Sequence, residues 1–173
     1  QAIAERGYWS PYPESPSPKV YGEGAAEAGK AAFDALLGKP FDLEQAGTVG
    51  TVGRERSPFG FDLGIAYPKP DLDRLFTAIA GAEVGWKKAG PEAWVGVCLE
   101  ILRRINQSSF AIAHAVMHTT GQAFMMAFQA GGPHAQDRGL EAVTYAWDEM
   151  RRVPAVATWE KPQGKHEPLR MEK

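Results

Sequence analysis

The stretch HTTGQAFMMAFQAGGPH (residues 118–134) lies at the centre of the part of the chain that decides the fold. On both sides of it, apolar residues recur at steps of three and four, which is the spacing of amphipathic helices. Gly121 and the Gly-Gly-Pro triplet at 131–133 interrupt this pattern, as glycine and proline do at helix ends. The sequence therefore predicts a four-helix segment over residues 71–153.

Helix signals continue upstream of this stretch. Asp71 can cap a helix that ends near Gly90, and Pro91 suits the first turn of the next helix. One side of the first helix carries apolar residues at helical spacing, namely Leu72, Leu75, Phe76, Ile79 and Trp86. The second helix repeats the pattern from Trp94 to Ile105, and Cys98 lies in its apolar stripe.

Residues 1–70 predict an extended arm, a short helix and Gly/Pro-rich loops. Four prolines between Pro11 and Pro18 exclude helix from residues 1–21, and we expect the aromatic residues of this arm to pack it onto a neighbouring surface. These aromatic residues are Tyr8, Trp9, Tyr12 and Tyr21. The run at 24–37 predicts a helix that buries Phe33, Leu36 and Leu37.

Residues 38–70 indicate loops with one strand pair, built from the apolar pieces 48–52 and 59–65. Residues 154–173 indicate an extended arm or strand after the helices. The chain begins at Gln1 without an initiator Met and ends in LRMEK, so we expect it to belong to a longer protein.

Composition excludes several classes of function. The 19 basic and 21 acidic residues nearly balance, so the chain lacks the field that would hold nucleic acid or an anionic membrane. No apolar run approaches the roughly 18 residues of a membrane helix. The single cysteine excludes a disulfide framework and favours a reducing, cytoplasmic compartment.

Two short motifs have the spacing of a phosphate-binding loop and of a metal site, but each lacks a residue that the binding requires. GAAEAGKA (24–31) has the spacing of a phosphate-binding loop, but Ala31 lacks the hydroxyl that would bind Mg²⁺, and an Ala-rich helix is the better interpretation. His114 and His118 are four residues apart on a predicted helix and could reach one metal ion, but two ligands leave a zinc site incomplete. We therefore predict no metal site, while a metal-binding helical protein that adds His134 is one alternative.

Tyr145 falls away from the apolar stripe of the last predicted helix, which contains Leu140, Val143, Trp147 and Met150. An exposed aromatic residue on a helix is either ordinary surface or part of a ligand channel or interface. The sequence leaves both interpretations open.

The order DLDRLFTAIAGAEVGWKK, SFAIAHAVMHTTGQ and LEAVTYAWDEM resembles the N-terminal helical segment of the aldehyde dehydrogenase superfamily. In that family one helix ends in a Trp-basic pair, a later helix ends in a Thr-Gly turn, and the last helix carries two aromatic residues. Here those places are occupied by Trp86 with Lys87, Thr120 with Gly121, and Tyr145 with Trp147. The chain departs from that pattern at Gln122, which replaces a Lys, and in a longer insert over residues 123–139. RGYWSPYPESPSPKVYGEG and HAVMHTTGQAFMMAFQAGGPH are similar to phenylacetic acid degradation proteins of the PaaN type.

The resemblance implies a mainly helical N-terminal region of a larger α/β enzyme, with an extended Pro-rich arm and little β structure. The parent enzyme would oxidise a ring-opened CoA-thioester semialdehyde with NADP or NAD, using a Cys nucleophile and a Glu base that lie downstream of Lys173. This chain would then hold no catalytic or cofactor-binding residue and would be inactive alone. It would contribute an arm near residues 158–161 for pairing in a homo-oligomer, and a substrate channel at Tyr145, Trp147 and Met150. The alternative is that the chain is not part of an enzyme but a self-sufficient helical binding module.

Overall fold

The computed structural model describes residues 10–172, and helices dominate its architecture, as predicted. Tyr8 and Trp9 of the predicted arm lie outside the described residues. The elements are, in chain order, α1 (Pro18–Tyr21), α2 (Ala25–Asp34), β1 (Thr48–Val52), β2 (Tyr67–Pro70), α3 (Leu72–Gln107), α4 (Ser109–Thr120), α5 (Phe124–Gly131), α6 (Pro133–Met150), β3 (Thr158–Gln163) and β4 (His166–Glu172).

The long stretch α3 consists of two helices that meet at Gly90. Asp71 caps its start, because its Oδ1 accepts a backbone N–H of the first turn at 3.0 Å. Gly90 has φ 78° and ψ 172°, a conformation that glycine adopts without strain, and Pro91 begins the second helix. The indole of Trp94 donates to the carbonyl oxygen of Trp86 at 2.6 Å, and this bond links the two helices across the break. The predicted break at this position is confirmed.

The core forms where α2, α4 and α5 meet. Phe110, Ala113 and Phe128 are buried together, and Phe124 packs against them. Gly29 on α2 allows this packing, because a Cβ at that position would lie only 2.2 Å from the Cβ of Phe110. The missing side chain therefore sets the distance between the two helices.

A second, smaller cluster joins the loops to the helices. Phe33, Leu63 and Ile65 are buried in it, and Leu36 and Leu37 pack around them. Of the predicted buried face, Phe33 is buried, whereas Leu36 and Leu37 follow the end of α2 at Asp34 and are half-buried.

The Pro-rich arm contains the short helix α1, so the prediction that excluded helix from residues 1–21 is wrong at this point. Ser17 caps this helix by accepting the N–H of Lys19 at 3.3 Å, and Pro18 occupies the first helical position, where a missing N–H costs nothing. The ring of Tyr21 meets Phe110 and Phe128 edge-on, with ring centroids 5.4 and 5.5 Å apart. For Tyr21, the expectation that aromatic residues anchor the arm is confirmed.

The first strand pair has a different partner from the one predicted. β1 pairs in an antiparallel manner with β2, whereas residues 61–63 turn back onto residues 55–57. In this turn the N–H of Ser57 donates to the Phe61 carbonyl at 2.7 Å, and that of Leu63 donates to the Glu55 carbonyl at 2.9 Å. Burial of Leu63 and Ile65 on Phe33 outweighs pairing with β1, because each of these side chains is almost fully removed from water.

The strand that the sequence indicates after residue 154 belongs to a hairpin formed by β3 and β4. All residues of both strands are exposed. The pairing of Trp159 with Met171 and of Lys161 with Leu169 places three apolar side chains on one face of the ribbon. Glu160 and Arg170 pair on the other face, which is polar.

The first half of α3 also has an apolar side without a covering element in the described part of the chain. This α3 apolar face consists of Leu72, Phe76, Ile79 and Trp86, whose exposed fractions are 62%, 62%, 55% and 46%. Globular domains usually bury such a stripe against another element. Within residues 10–172, no helix is long and apolar enough to cross a membrane.

Candidate functional site

The predicted channel residues lie near the C-terminal end of α6. Tyr145 is 65% exposed, whereas Trp147 and Met150 are half-buried. At 100° per residue, Trp147 and Met150 share one side of the helix and Tyr145 points elsewhere. The structure thus brings two of the three predicted residues together and separates the third.

The last turn of α6 beside these residues carries exposed ion pairs. Asp148 accepts from Arg151 at 2.8 Å and from Arg152 at 2.9 Å. The hydrogen bond from Arg151 is the main cause that holds the pKa of Asp148 below its usual value. Cations at this end of a helix also interact favourably with its dipole. This carboxylate is therefore committed to an ion pair and is poorly suited to accept a proton in catalysis.

One open groove lies between the chain around β1 and the first turns of α3. Its lining consists of Ala46, Gly47, Thr48, Asp73, Arg74, Thr77 and Ala78. None of the predicted channel residues lines it, and it contains neither a cysteine nor a histidine. The groove therefore offers no thiol nucleophile and no imidazole base.

His118 on α4 occupies an aromatic environment. Its ring stacks on Phe33 with centroids 5.1 Å apart and an interplanar angle of 9°. Phe59 and Phe61 meet the same ring at steep angles, at 5.5 and 5.0 Å. Nδ1 of His118 lies 3.0 Å from Oγ of Ser57, a side chain that is almost completely buried. His118 is therefore half-buried, covered by residues of α2 and of the chain around Ser57.

His114 and His134 lie in different environments. The ring of His114 packs against Phe33 and Phe124, with centroids 6.1 and 5.1 Å apart. Burial is the main cause that lowers the pKa of both His114 and His118. Nε2 of His134 instead lies 3.1 Å from Oε1 of Glu14 on the arm. The described residues contain no group of three or more His, Cys, Asp or Glu side chains that could hold a metal ion.

The segment with the spacing of a phosphate-binding loop forms a helix, as predicted. Gly24 precedes α2 in a left-handed conformation with φ 79°, and residues 25–34 are helical. The ammonium group of Lys30 pairs with Asp34 one turn further along the helix. These residues do not form a cradle for a nucleotide phosphate, because such a cradle needs a loop of free backbone N–H groups and an available Lys.

Sequence reasoning missed a buried polar cluster. Gln136 is fully buried; its Oε1 accepts from Asn106 at 2.9 Å, and its Nε2 donates to Oγ of Ser109 at 3.0 Å. The Ser109 hydroxyl donates to the Asn106 carbonyl at 2.8 Å. The position of Gln136, between Pro133 and Leu140 at helical spacing, was the available signal. This cluster joins α3, α4 and α6, and its fully paired state indicates a structural role.

No family model matches the chain, and no curated protein matches it. Among solved structures, the chain is similar to an NAD-dependent aldehyde dehydrogenase from Burkholderia multivorans, with 64% sequence identity and a TM-score of 0.90. The match covers 99% of this chain and 31% of that protein, so the chain spans about a third of its length. The predicted resemblance to aldehyde dehydrogenases is confirmed, and the fold is that of a segment of such an enzyme.

Proposed function

We propose that this chain is the N-terminal helical part of an NAD(P)-dependent aldehyde dehydrogenase and is inactive alone. The observation that carries the proposal is the 64% identity over 99% of the chain to a segment of an NAD-dependent enzyme. The catalytic Cys, the catalytic Glu and the coenzyme site would belong to the rest of the parent enzyme.

The parent enzyme would act in phenylacetate degradation on a ring-opened CoA-thioester semialdehyde. This substrate is inferred from the sequence of the arm and of residues 114–134, which is similar to that of PaaN-type proteins. NAD is favoured over NADP as the hydride acceptor, because the matched protein is NAD-dependent. The nearly balanced charge and the single cysteine agree with a cytoplasmic enzyme that binds neither nucleic acid nor a membrane.

The role of the chain in this enzyme is structural. The α3 apolar face is more than half exposed at three of its four side chains, and the rest of the parent enzyme would cover it. The β3–β4 hairpin would pair with a second copy in a homo-oligomer, since an isolated two-stranded ribbon is only marginally stable in water. A self-sufficient binding module would bury more of these side chains within its own core.

The experiment compares the isolated chain with the same chain extended by its downstream coding sequence. We expect only the extended protein to reduce NAD in the presence of an aldehyde, measured by absorbance of the reduced coenzyme. Oxidation of an aldehyde by the isolated chain would overturn the proposal. A stop codon soon after Lys173 would support the binding module instead.

The substrate is tested with the extended enzyme. A CoA-thioester semialdehyde should give a higher kcat/KM than the free semialdehyde of the same carbon chain, and equal values would refute recognition of CoA. Replacing Trp147 or Met150 by Ala should raise KM with little change in kcat if these residues line the channel. Replacing the exposed Tyr145 by Phe tests the third predicted residue, with Tyr12→Phe on the arm as the matched control.

A further inference from the structure

Residues 53–66, which we call the Phe59 loop, are held against α4 through His118. Ser57 lies 3.0 Å from Nδ1 of the imidazole, and the rings of Phe59 and Phe61 contact its sides. Phe33 of α2 stacks on its face. A single imidazole therefore connects the loop with two helices.

The hydrogen bonds of Ser57 indicate which protonation state of His118 fits between the loop and α4. Oγ of Ser57 accepts the N–H of Phe59 at 3.1 Å, and in the described part of the chain its hydroxyl proton has no acceptor other than Nδ1 of His118. A neutral imidazole protonated at Nε2 can accept that proton, whereas an imidazolium carries N–H on both nitrogens and cannot. Because Ser57 is only 2% exposed, water does not readily replace the lost acceptor.

Charged groups around His118 do not reverse this preference. From α2, Lys30 disfavours a second positive charge and Asp34 favours it, but the two are paired with each other, so their effects largely cancel. From α4, His114 would add positive charge if it were protonated. The charged residues of the Phe59 loop are Arg54, Glu55, Arg56 and Asp62, and the last two pair at 3.1 Å. α5, which packs against His114, carries no ionisable side chain.

The face of the Phe33 ring attracts a cation, so stacking on it favours the imidazolium. It therefore opposes the hydrogen bond of Ser57, which favours the neutral imidazole. Burial nevertheless outweighs the local charges, and it lowers the pKa of His118. Protonation of His118 would also remove the acceptor of the buried Ser57 hydroxyl, and this too favours the neutral imidazole. The neutral imidazole is therefore the form that the folded loop stabilises.

We propose that His118 is an acid-sensitive latch: the neutral imidazole holds the Phe59 loop on α4, and protonation releases it. Because the folded state lowers the pKa, opening of the loop takes up a proton. The stabilisation is fully present above the unfolded pKa of about 6.5, and it is lost as the pH falls through the folded pKa. One proton can raise the opening equilibrium by at most about tenfold per pH unit.

Amide hydrogen exchange on the 173-residue chain tests the latch. The reporters are the N–H groups of Ser57, Gly60 and Leu63, which donate within the loop. After correction for intrinsic rates, we expect their protection to fall several-fold, within the tenfold-per-unit bound, between about pH 7.5 and about pH 5.5. In His118→Asn, whose amide oxygen can still accept from Ser57 but does not titrate, this dependence should disappear.

His166→Asn on the exposed strand β4 is the matched control and should behave as the wild type does. A pH dependence that persists in His118→Asn, or its absence in the wild type, would overturn the proposal. An NMR titration of the wild type decides the question even if the variant does not fold. It should show the Nε2–H tautomer and a pKa below about 6.5, and an Nδ1–H tautomer or a higher pKa would refute the latch.

Discussion

Gly29→Ala tests a close contact between two helices of the core. Gly29 lies on α2 where this helix crosses α4, and the added Cβ would lie 2.2 Å from Cβ of Phe110 and 3.0 Å from the backbone N of Ala111. Neither of these atoms can rotate away, because one is a Cβ and the other belongs to the helix backbone. The two helices would have to separate by on the order of 1 Å to restore ordinary contact.

Two effects of opposite sign decide the magnitude. Alanine is favoured over glycine in a helix by about 1 kcal/mol. Overpacking a well-packed core costs about 1–3 kcal/mol, and the immobile contact atoms place this site near the upper end of that range. We therefore expect Gly29→Ala to lower the free energy of unfolding by about 2 kcal/mol.

The matched control is Gly81→Ala. Gly81 is also helical, on α3, but a Cβ there would meet nothing within 4 Å. This variant should gain up to about 1 kcal/mol, so the two substitutions should differ by about 3 kcal/mol.

Urea unfolding at low protein concentration, followed by circular dichroism, measures both variants. The midpoint for Gly29→Ala should fall by about 1 M, given a slope of about 2 kcal/mol per molar urea. If Gly29→Ala is as stable as the wild type while Gly81→Ala gains stability, α2 and α4 do not cross at this distance. The reasoning from the contact would then be wrong.

Three further predictions concern the core, a carboxylate and the uncovered surface. Phe128→Ala, at a fully buried position, should cost about 3–5 kcal/mol, whereas Met126→Ala, at a side chain 59% exposed, should change stability by less than about 0.5 kcal/mol in the same urea assay. Hydrogen bonds from Arg103 and its neighbour lower the pKa of Glu100 to about 2; Arg103→Ala should raise it in an NMR titration, and an unchanged value would contradict the pairing. We expect the isolated chain to self-associate through the α3 apolar face, so that its light scattering rises with concentration. Phe76→Asp places a charge on this face and should reduce that scattering. A monomeric wild type would refute the expectation.

The sequence by itself determined most of the helices and their ends. Asp71 caps α3, Gly90 and Pro91 divide it, and Gly121 ends α4 in a left-handed conformation with φ 79°. These signals could be recognised in the sequence because they act within one or two turns, through backbone conformation and the first or last free N–H and C=O groups. The resemblance to aldehyde dehydrogenases was likewise evident from short sequence motifs and their order along the chain, and the structural match confirmed it.

Only the tertiary structure decided which distant segments meet. β1 pairs with β2 rather than with residues 59–65, because burial of Leu63 and Ile65 on Phe33 draws that segment away. The same holds for the polar cluster around Gln136 and for the contact of the Phe59 loop with His118. Such choices depend on the sum of packing and hydrogen bonding between residues far apart in the chain, and no local pattern records that sum.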